Sequence, residues 1–187
     1  MKTGIIIPAI TTITLALGCA NQHEDTASTG RSRLTGPGAT TTRADVIERA
    51  RGWTDAGIPY CGGLPGGGDI LCGGTCYRGV SGSATRRLDW DRYRSDCSGL
   101  VSYAWGLAPP GLTTWTLPEV STSVALADIA PGDIFLSSSH TMLFIEWASP
   151  GVARFAEEAD CGTRARVRQA ATSETAAGIV EIGRAHV

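Results

Sequence analysis

Cys97, within the run Asp96-Cys97-Ser98-Gly99-Leu100-Val101, is the residue whose type and position could do covalent chemistry. Ser95 or Asp96 can cap a helix that starts at this thiol, and the unpaired N–H groups and positive dipole end of a first helical turn favour thiolate, the nucleophilic form. The competing reading is a structural thiol, since free cysteine is among the most buried residue types. A catalytic cysteine needs a base to share its proton and a polar group to orient that base. Of the 3 histidines, His23 stands in a polar N-terminal stretch and His186 at the extreme C-terminus, which leaves His140, just after the turn Ser137-Ser138-Ser139. An orienting carboxylate comes from the next strand if the turn Ser149-Pro150-Gly151 folds the chain back beside His140, bringing Glu157 or Glu158 within reach. Alternation puts Phe155 and Glu157 on one face and Glu158 on the other, and Glu157 is preferred.

Those residues need two helices and a meandering sheet to hold them. The first helix starts after Thr42 and runs to about Ala56, with Val46, Ile47, Ala50 and Trp53 on one face and Gly57 as its stop. The second runs from about Asp96 to Trp105, with Leu100, Val101, Tyr103 and Ala104 as its stripe and Gly106 ending it. Strand signals fill 133–136 after Pro131-Gly132, 141–147, and 152–157, while Val167 and 178–182 suggest further strands. The fold class is α+β, with N-terminal helices packed on an antiparallel sheet. Residues 109–123, opened by Pro109-Pro110-Gly111, form a loop that is a candidate cleft rim.

The chain has 187 residues, 42% of them hydrophobic, which supports one real core. Its start reads as an export signal: Met1-Lys2, an uncharged and mostly apolar stretch over 4–17, then Ala16-Leu17-Gly18-Cys19, which resembles a bacterial lipobox. The expectation is a lipoprotein signal over 1–19 with acylation at Cys19, ordinary signal cleavage being the alternative. A flexible polar tether follows over 20–42, and the domain occupies 43–181. Export places the protein in the periplasm or on the outer surface, anchored to the membrane.

In that compartment Cys61, Cys72, Cys76 and Cys161 form an even set with three possible pairings, and two disulfides are expected to hold a glycine-rich segment too poor in side chains to pack. Their spacing fits no common zinc pattern, so no metal and no cofactor is expected. A net charge of −2 with no Lys/Arg block gives no case for nucleic acid. Arg164, Arg166 and Arg168 alternate as a solvated strand face would. The closing Ile182-Gly183-Arg184-Ala185-His186-Val187 is what ATC GGA AGA GCA CAC GTC encodes, a run found in a widely used sequencing adapter. Adapter read-through over 182–187 is therefore expected, with the domain truncated at its C-terminus and His186 kept out of any site.

Asp96-Cys97-Ser98-Gly99-Leu100-Val101, then Pro131-Gly132-Asp133-Ile134-Phe135, then His140 opening an apolar strand, resembles the NlpC-type cell-wall cysteine peptidases, a papain-like family. The resemblance covers about 46–158. It implies Cys97 as nucleophile, His140 as base and a polar residue of the next strand, here Glu157, as the third member. Ile58-Pro59-Tyr60 resembles the family segment whose tyrosine binds substrate or the oxyanion, so Tyr60 would take that role, with Asp96 and Ser98 beside it. The implied substrate is the peptidoglycan stem peptide, cleaved at an amide bond by a monomer. An amidase or acyltransferase on the same fold, and a non-catalytic surface-binding lipoprotein, are the alternatives. The long stretch between Tyr60 and Asp96, with three cysteines, and a Glu as third member depart from the family pattern.

Overall fold

The first helix, α1 (Arg43–Asp55), starts where Thr42 caps it: the Thr42 hydroxyl accepts from the Asp45 amide while the Asp45 carboxylate reaches back to the Thr42 amide. The second, α2 (Cys97–Trp105), is capped by Asp96, whose carboxylate accepts from the Gly99 amide, and ends at Gly106 in the left-handed region with φ 75°. A side chain at Gly106 would meet Thr41 and Arg49 within 3 Å, so glycine is required there for space as well as for backbone freedom. In this computed structural model the described residues are 33–36, 39–74, 76, 89–173 and 181–185. The expected export signal over 1–19 with Cys19, most of the tether, and His186 lie outside them.

The tether expectation needs a correction at its end. Arg33–Gly36 (β1) and Ala39–Thr42 (β2) pair antiparallel as a separate two-stranded ribbon that leads directly into α1. A run of small and hydroxylated residues shows no apolar period, and pairing of backbones does not need one.

The main sheet has six antiparallel strands: β3 (Ser121–Ser123), β4 (Ile134–Leu136), β5 (Thr141–Ser149), β6 (Val152–Glu157), β7 (Arg166–Ala171) and β8 (Glu181–Ala185), in the order β3-β8-β4-β5-β6-β7. The architecture is α+β. Side chains alternate across it. Ile134, Leu136, Leu143, Ile145 and Ala156 pack against Val46, Ala50 and Trp53 of α1 and Leu100, Val101, Ala104 and Trp105 of α2. On the other face Phe135, Met142, Phe144 and Phe155 gather around Ile129, with the Phe135 and Phe155 rings edge-on at 5.0 Å. Trp105 locks the layers together by donating from its indole to the Gly132 carbonyl at 2.8 Å.

Two further differences concern strands. The expected rim loop 109–123 closes with a 3₁₀ turn (Leu117–Val120) and then β3, because Ser121–Ser123 finds a backbone partner in β8 and needs no apolar pattern of its own. Residues 182–185, read from their codons as adapter-derived, take a full strand position between β3 and β4, with Gly183 opposite both Ser123 and Ile134.

The four remaining cysteines pair as Cys61–Cys76 and Cys72–Cys161. Between them Asp69 organises the glycine-rich segment, its carboxylate accepting from the amides of Cys72 (2.9 Å), Leu71 (3.0 Å) and Gly62 (3.2 Å). The Cys72 amide, against the effect of burial, and then those of Leu71 and Gly62 hold the Asp69 carboxyl below its usual range. Cys61, Asp69 and Cys76 bring ligand-type atoms within 4.8 Å of one another, but both sulfurs are spent in the disulfide and cannot serve as thiolate ligands. Among the described residues no helix is long and apolar enough to cross a membrane.

Candidate active site

Cys97 is the free cysteine of the described residues, buried at the first position of α2. The turn before it is tight. A Cβ on Gly99 would fall 1.8 Å from the Arg94 carbonyl oxygen, so the glycine of the Asp-Cys-Ser-Gly run lets the preceding loop fold over the helix start. Asp96 and Ser98, expected beside substrate, are committed elsewhere. The Asp96 carboxylate accepts from Gly99 N (2.7 Å), Ser98 Oγ (2.9 Å) and Arg94 Nε (3.0 Å), and Ser98 is buried. Both hold the helix start: a carboxylate that accepts from the Gly99 amide, the Ser98 hydroxyl and Arg94 has few lone pairs left for a ligand. Arg94 in turn donates to the Leu112 carbonyl, tying the rim to this turn.

His140 ends the β4–β5 connection, where Ser137 N donates to the His140 carbonyl (2.8 Å) and His140 N donates to Ser137 Oγ (3.0 Å). Nε2 lies 3.5 Å from Glu157 Oε1, and the ring is near enough to Cys97 for the thiol to act on its titration. Burial pulls the imidazolium down, yet the hydrogen bonds and charges of Cys97 and Glu157 outweigh it and push the His140 pKa up to about 9.

Glu157 and Glu158 part company. The Glu157 side chain is 5% exposed and its Oε2 accepts from Arg166 Nη2 (3.2 Å) and Nε (3.3 Å), with Arg168 Nε at 3.6 Å. The bond with His140, against the effect of burial, and then Arg168 and Arg166 hold the Glu157 carboxyl below its usual range. Glu158 turns to the helix face, fully buried, where Oε2 accepts from the Trp53 indole at 2.7 Å and Oε1 finds no partner. Burial pushes its pKa up to about 8, with Trp53 opposing and Asp96 adding to the rise. The arginine expectation changes accordingly. Arg166 and Arg168 flank the acid that faces His140, and Arg164 donates to the Gly57 carbonyl at 2.8 Å. Register would have revealed this, since Arg166 stands opposite Glu157.

Tyr60 is half-buried beside this group. Its amide donates to Thr163 (3.1 Å), and the next amide, of Cys61, donates to Ser95 (2.8 Å), so the segment runs alongside the turn that delivers Cys97. Burial first, then the charges of Cys97 and Asp96, push the Tyr60 phenol up to about 12, which keeps its proton in place as a donor at neutral pH. The Cys72–Cys161 bridge links this side of the cleft to the turn that follows β6. A thiol, an imidazole 3.5 Å from an acid, and the Tyr60 phenol thus gather near the start of α2. Such a set can carry out nucleophilic attack with proton transfer.

No family model and no curated protein matches the sequence. Among solved structures, the chain is similar to a hypothetical invasion protein of Mycobacterium tuberculosis, with 21% identity over 77% of this chain and a TM-score of 0.47. It is also similar to the P60 domain of an antigen of M. avium subspecies paratuberculosis, with 19% identity over 78% of this chain and a TM-score of 0.45. The chain spans 61% of the length of the first and 94% of the second.

Proposed function

We propose that this chain is an exported, lipid-anchored cysteine hydrolase of the NlpC type that cleaves amide bonds in peptidoglycan stem peptides. The observation that carries the reading is the His140 ring, whose Nε2 lies 3.5 Å from Glu157 Oε1 and whose titration is raised by Cys97. The Asp-Cys-Ser-Gly and Pro-Gly-Asp runs and the two disulfides support the family and the oxidising compartment.

His140 takes the Cys97 proton, and the thiolate attacks the scissile carbonyl carbon. With Nε2 turned to Glu157, Nδ1 is the nitrogen left to make this exchange. The oxyanion of the tetrahedral intermediate is met by the Cys97 amide and the Tyr60 hydroxyl. His140 returns the proton to the leaving amine as the C–N bond breaks, leaving a thioester. Water, deprotonated by His140, attacks that thioester and releases the acid, and Cys97 leaves as the thiol.

Cys97→Ala is expected to abolish release of stem-peptide fragments from purified peptidoglycan, read by mass spectrometry; undiminished release refutes the mechanism. A thiol-directed alkylating agent should label the parent at neutral pH and label a His140→Ala variant at least tenfold more slowly. Equal labelling of both favours a non-catalytic binder.

A further inference from the structure

The rim facing the His140 turn carries an aromatic side chain that hydrolysis does not use. Trp115 is 74% exposed, although its loop is well anchored. Thr116 and Leu117 both donate to the Thr113 carbonyl (3.0 and 2.9 Å), Leu117 is fully buried, and Thr114 Oγ1 donates to the Ser138 carbonyl at 3.0 Å. An exposed indole on an anchored loop offers a surface to a ligand. It lines a cavity of about 160 Å³ with Thr114, Ser137, Ser138 and Glu181, walled on its remaining sides by Pro118 and Leu136. The cavity shares Ser137 with the His140 turn, because Ser137 Oγ accepts from the His140 amide.

We propose that this cavity is a saccharide subsite. A pyranose ring has one face of C–H bonds, which suits the electron-rich face of an indole, and a rim of hydroxyls, which suits neighbouring hydroxyl and carboxylate groups. The lining offers that combination at the scale of a single ring: an indole, the Ser138 hydroxyl, the Thr114 hydroxyl oxygen as acceptor and the Glu181 carboxylate, while the Ser137 hydroxyl is spent on the His140 carbonyl and holds the turn. The one charge in the lining is negative, which disfavours a carboxylate or phosphate. The inference rests on the proposed hydrolase reading for its biological sense, since a subsite sharing the His140 turn would take the glycan attached to the peptide being cut.

The test is a titration of the Cys97→Ala chain with N-acetylglucosamine oligomers, read by tryptophan fluorescence and calorimetry. A saturable change is expected, retained in Trp147→Phe and weakened at least tenfold in Trp115→Ala. In the catalytically intact chain, Trp115→Ala should lower the ratio of kcat/KM for a glycan-bearing stem peptide over the sugar-free peptide by about tenfold, mainly through KM. No saccharide binding, or an equal loss with both substrates, overturns the subsite. So does a signal given by a free diamino acid and by no saccharide, which would make this a cation site. Saccharide binding without any hydrolysis by the intact chain supports the subsite while refuting the hydrolase reading.

Discussion

Glu157 and Glu158 are adjacent in the chain, and the strand pleat sends one toward His140 and the other into the helix layer. Their titrations therefore pull in opposite directions. Glu158, raised to about 8, binds a proton in the folded state that the unfolded chain gives up near the ordinary glutamate range, so its effect is to lower stability as pH climbs through that interval. His140, raised to about 9, contributes stability fully present below about pH 6.5 and lost as pH rises through 9. Glu157, held low, contributes above the ordinary carboxylate range and loses its effect as pH falls through its depressed value. Glu158→Gln keeps an oxygen for Trp53 and removes the charge, so the variant should exceed the parent at pH 9 by roughly 2 kcal/mol, or about 5 °C in Tm, and differ little at pH 5. Thermal scans at the two pH values check this; an equal shift at both would rule out titration as the cause. Glu157→Gln should lower kcat/KM by roughly tenfold or more and move the alkaline limit of kcat/KM downward, because the imidazolium that protonates the leaving amine loses its partner. Replacing Arg166 and Arg168 with Gln should move that limit upward, since two cations no longer share Glu157 with the imidazolium. Residue type, elimination and alternation picked out Cys97, His140 and Glu157 as candidates, and the fold brings the His140 ring within 3.5 Å of Glu157. The commitment of Asp96 and Ser98 to the cap, and the pairing of the arginines with Glu157, depend on register and packing that spacing along the chain does not carry.

The helices were the most legible elements, because Thr42 with Asp45 and Asp96 with Gly106 are local signals acting on their own helices. β3 was not legible: Ser121–Ser123 is defined by its pairing with β8, about sixty residues away. The same holds for the disulfides. The cysteine count fixed how many bridges to expect, but choosing among the pairings required knowing that the turn after β6 returns to the glycine-rich segment. That segment depends on its bridges, since Leu64, Ile70 and Leu71 are exposed and bury little apolar surface. The Cys61–Cys76 and Cys72–Cys161 separations of 15 and 89 residues correspond to about 3 and 4.6 kcal/mol of unfolded-chain entropy. Replacing both members of a pair with Ser should therefore cost more for Cys72 and Cys161 than for Cys61 and Cys76. Denaturant unfolding compares them, and the reverse order would mean that the glycine-rich segment is held mainly by Asp69.

At the scale of the whole molecule, Asp133 joins the layers. Its carboxylate is 1% exposed and meets Arg43 of α1 (2.9 Å), Arg184 of β8 (2.8 Å) and the Ala130 amide (2.9 Å). Asp133→Ala takes the shared carboxylate from two guanidinium groups, each of which keeps a carbonyl partner, and should cost about 3 kcal/mol, with calorimetry as the check. Removing residues 182–187 takes away Arg184 and the strand between β3 and β4, leaving β4 with a bare edge; loss of a single cooperative unfolding transition is the expected result. The sequence showed an apolar, turn-punctuated second half that would form a sheet, but the insertion of β8 between β3 and β4 is a long-range choice of partner with no local mark. The Cys72–Cys161 bridge has a topological consequence as well. It closes a covalent ring that contains α2, the His140 turn and β6, so one backbone cut anywhere in that ring linearises it and releases no fragment. A protease that nicks the chain once between those cysteines would leave a two-chain molecule with the thiol, imidazole and carboxylate still on one covalent frame.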